Sequence, residues 1–293
     1  MMSMTSVRAR RFMQIDVFSA QPYMGNPLAV VLDSDGISDA AMLRFANWTN
    51  LSETTFLLPP STAGRAAGAD YRVRIFTPGG ELPFAGHPTL GSCHAWLNGG
   101  GQPQAEGLVI QECAKGLVPL RRDPANGLWA FAAPSMECSP ISEPQHQAVL
   151  QAAGLSAQQV QDSAILFNGP RFWALLLDNP ETVLGLTPDL PALHAQGIQL
   201  GVAARHPDTG ATDLEVRVWF NSGSTLTEDP ITGSFNASLA QWLIQRGHIA
   251  APYLASQGIN LGRAGQVHLS QDDSGQVWVG GQSSTCISGT VML

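Results

Sequence analysis

Apolar positions along the chain fall into two patterns that alternate. Short runs with alternating or continuous apolar residues predict strands. In the first half these are "RFMQIDVFS" from Arg11, "PLAVVLD" from Pro27, "ETTFLLP" from Glu53 and "DYRVRIFT" from Asp70. "GLVIQECAKGLVPLRR" from Gly107 reads as a hairpin turning at Lys115 and Gly116. "SDAAMLRFANWTN" carries apolar residues at helical spacing behind Ser38, a good N-cap. The second half repeats the mixture. Strands are predicted at "GLWAFAA", "AILFN", "RFWALLLD", "IQLGVAA", "TDLEVRVWF", "GQVHLS" and "QVWVGG", and helices at "SEPQHQAVLQAAG" and "TPDLPALHAQG". Many strands with few helices predict an α+β chain.

The two halves also match in detail. "VRIF" at 73–76 and "VRVW" at 216–219 are each followed by a polar, glycine-containing loop, the second one longer. Each loop ends in a glycine that opens an apolar stretch: "GHPTLGSCHAWLNGG" from Gly86 and "GSFNASLAQWLIQRG" from Gly233. Trp96 and Trp242 fall near the same place in each. Two unrelated strand-loop-helix units would look alike over so short a match, so the repeat stands beside chance similarity. A helix apolar around most of its circumference is a buried one. The expected architecture is two similar domains, each a rolled, mostly antiparallel sheet around a central helix. Helix N-termini carry unpaired N–H groups and the positive dipole end, so Gly86 and Gly233 are candidates for holding a small carboxylate.

Length is consistent with two domains, since 293 residues exceed a minimal single core. The turn signals in "RRDPANG", residues 121–127, place the boundary there. That gives an N-terminal domain at 1–122, completed by a C-terminal strand at 285–293, and a second domain at 123–284. A net charge of −8 and a pI near 5.2 argue against nucleic acid and anionic membrane partners. Lys115 is the sole lysine and lies at a hairpin turn, which sets aside Schiff-base chemistry. The four cysteines form no CxxC pair, and neither a leader peptide nor a membrane-spanning run is read. A reducing cytoplasm is the expected compartment.

Several residues are candidates for chemistry. Glu53 in "LSETTF" is either a polar-face residue or a half-dry carboxylate able to move a proton. His87, in the first turn after Gly86, is either an imidazole presented to a cleft or a satisfied helix-start histidine. "TEDPITGSFNAS" offers Asp229 and Ser234, which also read as an Asp-Pro turn and a helix cap. Asn26 in "GNP" reads first as a turn. His87 and His94 are too far apart along one helix to share a metal, and no HExxH, P-loop, GxGxxG or GxSxG motif occurs.

Taken in order, "DVFSAQPYMGNPLAVVL", "NLSETTF", "RIFTPGGELPFAGHPTLG" and "EDPITGS" resemble the PhzF-like phenazine-biosynthesis isomerases over nearly the whole chain. The resemblance implies the diaminopimelate epimerase-like fold with its site in a cleft. It implies Glu53 as general acid/base, with His87, Asp229 and Ser234 assisting proton transfer and holding polar groups of the substrate. It implies isomerisation of a dihydro-hydroxyanthranilate ring or similar small carboxylate, without metal or cofactor, by a homodimer. Epimerases of this fold carry a cysteine before each helix-opening glycine. Here those positions are Ala85 and Thr232, so an epimerase or racemase is disfavoured. A non-catalytic small-molecule binder of the same fold is the remaining alternative, and the physiological substrate stays open.

Overall fold

The computed structural model describes residues 7–207, 210–221 and 225–293. The first six residues, part of the segment read as carrying no leader, lie outside the described residues. In chain order the elements are β1 (Ala9–Val17), β2 (Asn26–Val31), α1 (Asp39–Thr49), β3 (Glu53–Leu58), α2 (Thr62–Ala66), β4 (Tyr71–Thr77), β5 (Gly80–Leu82), α3 (Gly86–Asn98), β6 (Leu108–Cys113), β7 (Gly116–Arg122) and β8 (Trp129–Ala132). They continue with β9 (Glu137–Ser139), α4 (Glu143–Ala153), β10 (Val160–Phe167), β11 (Arg171–Leu177), α5 (Pro180–Gly185), α6 (Leu190–Ala195), β12 (Leu200–Arg205) and β13 (Leu214–Asn221). The last are β14 (Leu226–Glu228), α7 (Gly233–Gln245), β15 (Tyr253–Gln257), β16 (Gly265–Gln271), β17 (Val277–Gly280) and β18 (Ser283–Met292).

The chain divides into two compact units, Met1–Ala132 with Gly280–Leu293, and Ala133–Val279. The "DPANG" turn does not mark this division. It joins β7 to β8, which pair through Arg122 and Trp129 inside the first unit. Turn chemistry alone does not distinguish a hairpin from a linker.

In the first unit β18, β1 and β2 are antiparallel, β2 runs parallel to β3, and β3 pairs antiparallel with β4. β4 then runs parallel to β6, and β6, β7 and β8 form a meander. Helix α3 lies against β1, β2, β3, β6, β8 and β18, and its residues from Gly86 to Cys93 are all buried. On the other face Met42 and Ala46 of α1 cover Val31, Phe56 and Phe76. Ser38 caps α1 by accepting from the Ala41 N–H, as its sequence position predicts.

The second unit repeats the plan. β9, β10 and β11 are antiparallel, β11 runs parallel to β12, and β12 pairs antiparallel with β13. β13 then runs parallel to β15, which pairs with β16. Helix α7 is buried from Gly233 to Ala240. Its Phe235 packs edge-on against Phe172 of β11, ring centroids 5.1 Å apart. The same ring crosses Gly201 of β12 so closely that a Cβ there would lie 2.2 Å from it. Opposite, Trp173, Leu175 and Leu177 of β11 pack with Val149, Val183 and Leu193 from α4, α5 and α6. Burial on both faces explains the unbroken apolar run "RFWALLL", where alternation would mark a one-sided strand. Each such side chain contributes about 1.5–3 kcal/mol through burial.

Sequence patterning missed α2, α5, β5, β9, β14 and β15, all short elements. Lys115 is exposed at the β6–β7 turn.

Candidate active site

The internal repeat holds residue by residue. Phe76 of β4 pairs with Glu81 of β5, and Trp219 of β13 pairs with Glu228 of β14. Arg74 makes a two-pronged ion pair with Glu81 at 2.7 and 2.6 Å and sits 5.1 Å from the Phe76 ring centre. Arg217 does the same with Glu228 at 2.9 and 2.8 Å, 4.7 Å from the Trp219 ring centre. These pinned hairpins lead into the helix starts: Ala85 is the N-cap of α3 and Thr232 the N-cap of α7. Neither cap residue bonds its own helix through its side chain. The N–H groups of Gly86 and His87, and of Gly233 and Ser234, therefore have no intrahelical acceptor, and the helix dipole favours negative charge there.

In the first unit the structure brings Glu53, His87 and Asn26 together. Glu53 opens β3, His87 is the second residue of α3 and Asn26 opens β2. All three are buried, at 8%, 4% and 0% exposure. His87 Nδ1 lies 3.3 Å from Glu53 Oε2, and the Asn26 amide nitrogen approaches Nδ1 at 3.4 Å. Burial pushes the imidazole pKa down from 6.5 to about 3, and the Pro27 carbonyl, accepting from the ring, only partly opposes it. At neutral pH the ring is neutral, so Glu53 faces a dipole and not a cation. Nε2 of His87 is buried and has no protein hydrogen-bond partner, so Nδ1 is the nitrogen that meets Pro27. A ring protonated on Nδ1 keeps its Nε2 lone pair.

Behind this cluster Asp16, 3% exposed, accepts the Gly25 N–H at 2.8 Å. Gly25 has no room for a side chain, since a Cβ would meet the Val17 carbonyl oxygen at 2.2 Å. The approach fixes the chain where it enters Asn26.

In the second unit the structure brings Asp229, Gly233 and Ser234 together at the start of α7. Thr232 donates from Oγ1 to Asp229 Oδ2 at 2.6 Å. Asn168, 2% exposed, donates to the Ser234 carbonyl at 2.8 Å. Ser234 is the second residue of α7 as His87 is of α3, and each has a buried asparagine beside it. Sequence reasoning missed Asn168 and ranked Asn26 low. The available signal was a buried-strand start behind Asn26-Pro27 and behind Asn168-Gly169-Pro170. Among the described residues no group of three or more His, Cys, Asp or Glu side chains is placed to share a metal ion. No helix among them is long and apolar enough to cross a membrane.

Comparison with known proteins gives the chain its relatives. Antisense-enhancing sequence 1 of Schizosaccharomyces pombe is 36% identical, over 95% of this chain and 97% of the relative. Trans-2,3-dihydro-3-hydroxyanthranilate isomerase of Pseudomonas aeruginosa is 32% identical, over 91% and 92%. The crystal structure of a PhzF-family phenazine biosynthesis protein from Bacillus anthracis superposes with a TM-score of 0.81, covering 98% of this chain and all of that one (100%), at 19% identity, and so shares the fold. The sequence model of the phenazine biosynthesis-like proteins matches residues 15–289. With that match across almost its whole length, this chain is a member of the phenazine biosynthesis-like (PhzC-PhzF) family.

Proposed function

We propose that this chain is a cofactor-independent isomerase that moves a proton between two carbons of a small carboxylate-bearing substrate. The Pseudomonas aeruginosa relative is named for trans-2,3-dihydro-3-hydroxyanthranilate, and that compound is the first candidate. The observation that carries the reading is the buried Glu53 carboxylate set 3.3 Å from a neutral imidazole. A buried carboxylate facing a neutral imidazole suits reversible proton exchange with carbon, and exclusion of water keeps the intermediate from leaking the proton.

Glu53 takes a proton from one carbon, and the electron pair left behind shifts the double bond. The carboxylic acid so formed then returns the proton to the second carbon. His87, its Nδ1 proton held by the Pro27 carbonyl, sets a neutral ring against the Glu53 carboxylate, and its Nε2 lone pair accepts a donor from the substrate. The helix-start N–H groups at Gly86 and Gly233 hold negative charge on the substrate, and Asp229 and Ser234 orient its polar groups. The reading includes a homodimer working in the cytoplasm.

A two-thiol epimerase lacks its groups here, because the N-caps of α3 and α7 are Ala85 and Thr232. The test is conversion, followed by NMR, of trans-2,3-dihydro-3-hydroxyanthranilate and a panel of small cyclic carboxylates. The proposal requires a shifted double bond in at least one compound. A compound that binds and is returned unchanged, with none of the panel converted, would make the chain a binder.

A further inference from the structure

The Asp229 corner depends on a residue far from it in sequence. Gln257, the last residue of β15, is 1% exposed and uses its whole amide locally. Its Oε1 accepts from the Thr232 N–H at 3.1 Å and from the Asn236 amide at 2.9 Å. Its Nε2 donates to the Asp229 carbonyl at 3.1 Å and to Thr232 Oγ1 at 3.1 Å. The Thr232 N–H can only face an acceptor, which settles which end of the amide is oxygen.

That orientation decides the Thr232 hydroxyl. Its oxygen accepts from Gln257, so its proton turns to the remaining partner, Asp229 Oδ2, at 2.6 Å. Asp229 is thus held at two points, its carbonyl by Gln257 directly and its carboxylate by Gln257 through Thr232.

The first unit holds only a partial counterpart, in which the glutamine oxygen accepts from the Tyr71 hydroxyl and not from the helix start. Gln111, 0% exposed, donates to Thr89 Oγ1 at 3.0 Å, and Thr89 donates to the Ala85 carbonyl at 2.9 Å. Thr89 and Asn236 are each the fourth residue of their helix, and each bonds back to its N-cap carbonyl. The N-cap there is Ala85, which has no hydroxyl to extend the chain toward an acid. Holding the helix start needs only the shared part. The Thr232 hydroxyl is the addition specific to the second unit.

We infer that Gln257 and Thr232 are positioning residues that fix the direction of the Asp229 carboxylate for the proton transfer proposed above. Gln257 acts through Thr232, and neither needs to touch substrate. The inference rests on the isomerase reading for its kinetic consequence and on geometry alone for its structural one.

The test compares Thr232→Val, Thr232→Ser, Gln257→Leu and the Thr232→Val/Gln257→Leu double variant, using the full chain and the compound the wild type converts. Thr232→Val is expected to lower kcat roughly 10- to 100-fold while KM moves less than about threefold. Thr232→Ser, which keeps the hydroxyl, restores most of the loss. Gln257→Leu falls by a similar factor, and the double variant falls no further than the worse single one, because both act on one bond. Losses that multiply, or variants with a lower Tm and an unchanged kcat, overturn the inference. Crystal structures of the wild type and Gln257→Leu provide an arm independent of turnover. The Asp229–Thr232 bond is expected to break in the variant, and its persistence in place overturns the positioning role. Should the wild type convert nothing, the isomerase reading fails and this structural arm alone decides.

Discussion

The starts of α3 and α7 are one construction carried out twice with different chemistry. Both follow a hairpin pinned by an arginine–glutamate pair, and both rest on a buried glutamine reaching the fourth helical residue. The register also matches their neighbours. Thr54 pairs with Phe76 and Leu200 with Trp219, so Gln199 stands in the second unit where Glu53 stands in the first. Gln199 uses its amide on the Arg171 carbonyl and the Asn221 N–H. By the same register Asp229, following Glu228, corresponds to Leu82, following Glu81. The candidate acids therefore stand on different elements, Glu53 at the start of β3 in the first unit and Asp229 just after β14 in the second. A symmetric pair of acid/base groups, as an epimerase needs, is not what this frame holds. The proposed division gives the proton work to Glu53 and the orienting role to Asp229.

The comparison can be broken at several points, taken from the largest expected effect. His87→Ala should lower kcat/KM by roughly 100- to 1000-fold, while Ser234→Ala, at the equivalent helical position, should cost no more than about tenfold. Steady-state kinetics of the two variants checks this, and equal losses would make the two helix starts functionally equivalent.

The ion pairs should separate by burial. Arg217 and Glu228 side chains are 6% and 12% exposed, against 23% and 36% for Arg74 and Glu81. Arg217 also donates to the carbonyls of Val183, Leu184 and Leu186 at 3.0, 3.2 and 2.7 Å. Removing it takes the guanidinium from a buried carboxylate and from the Leu186 carbonyl, while the Val183 and Leu184 carbonyls keep the Leu186 N–H and the Asn260 amide, so Arg217→Met should lose about 3–5 kcal/mol of stability. Arg74→Met should lose about 1 kcal/mol or less, because water replaces the partner. Urea unfolding of both variants gives the two numbers.

A pH-dependent effect belongs to His87 and not to its counterpart Ser234. Its folded pKa of about 3 lies below the ordinary 6.5, so below pH 6.5 the unfolded chain binds the extra proton. The stability contributed by the neutral buried ring is complete above pH 6.5 and is lost as pH falls toward 3, by about 1.4 kcal/mol per pH unit. His87→Asn should remove that slope from the acid limb of a stability–pH profile. Ser234→Ala should leave it in place.

Much of this frame was legible in the sequence, and the reason is local. "VRIF" and "VRVW" became β4 and β13 because alternation and aromatic ends report strand burial directly. Gly86 and Gly233 opened α3 and α7 where composition placed them. Burial removes the surface-carboxylate reading that the Glu53 motif left open, and for His87 the helix-start reading stands beside the proposed chemical one. Gln257 and Asn168 could not be read, since their partners lie 25 and 66 positions away along the chain. Nothing in "PYLASQ" marks a glutamine that meets Thr232 across β15. Long-range polar contacts are fixed by topology, and topology is what a linear pattern conveys least.

The central claim is that one carboxylate, Glu53, carries the proton between carbons. It is tested most directly by solvent-deuterium incorporation into trans-2,3-dihydro-3-hydroxyanthranilate, or into whichever compound the wild type converts, with wild type and Glu53→Gln side by side. The account predicts deuterium at carbon with the wild type and a rate at least about 1000-fold lower with Glu53→Gln, whose amide cannot take the proton. Incorporation at a near-wild-type rate by Glu53→Gln would contradict it.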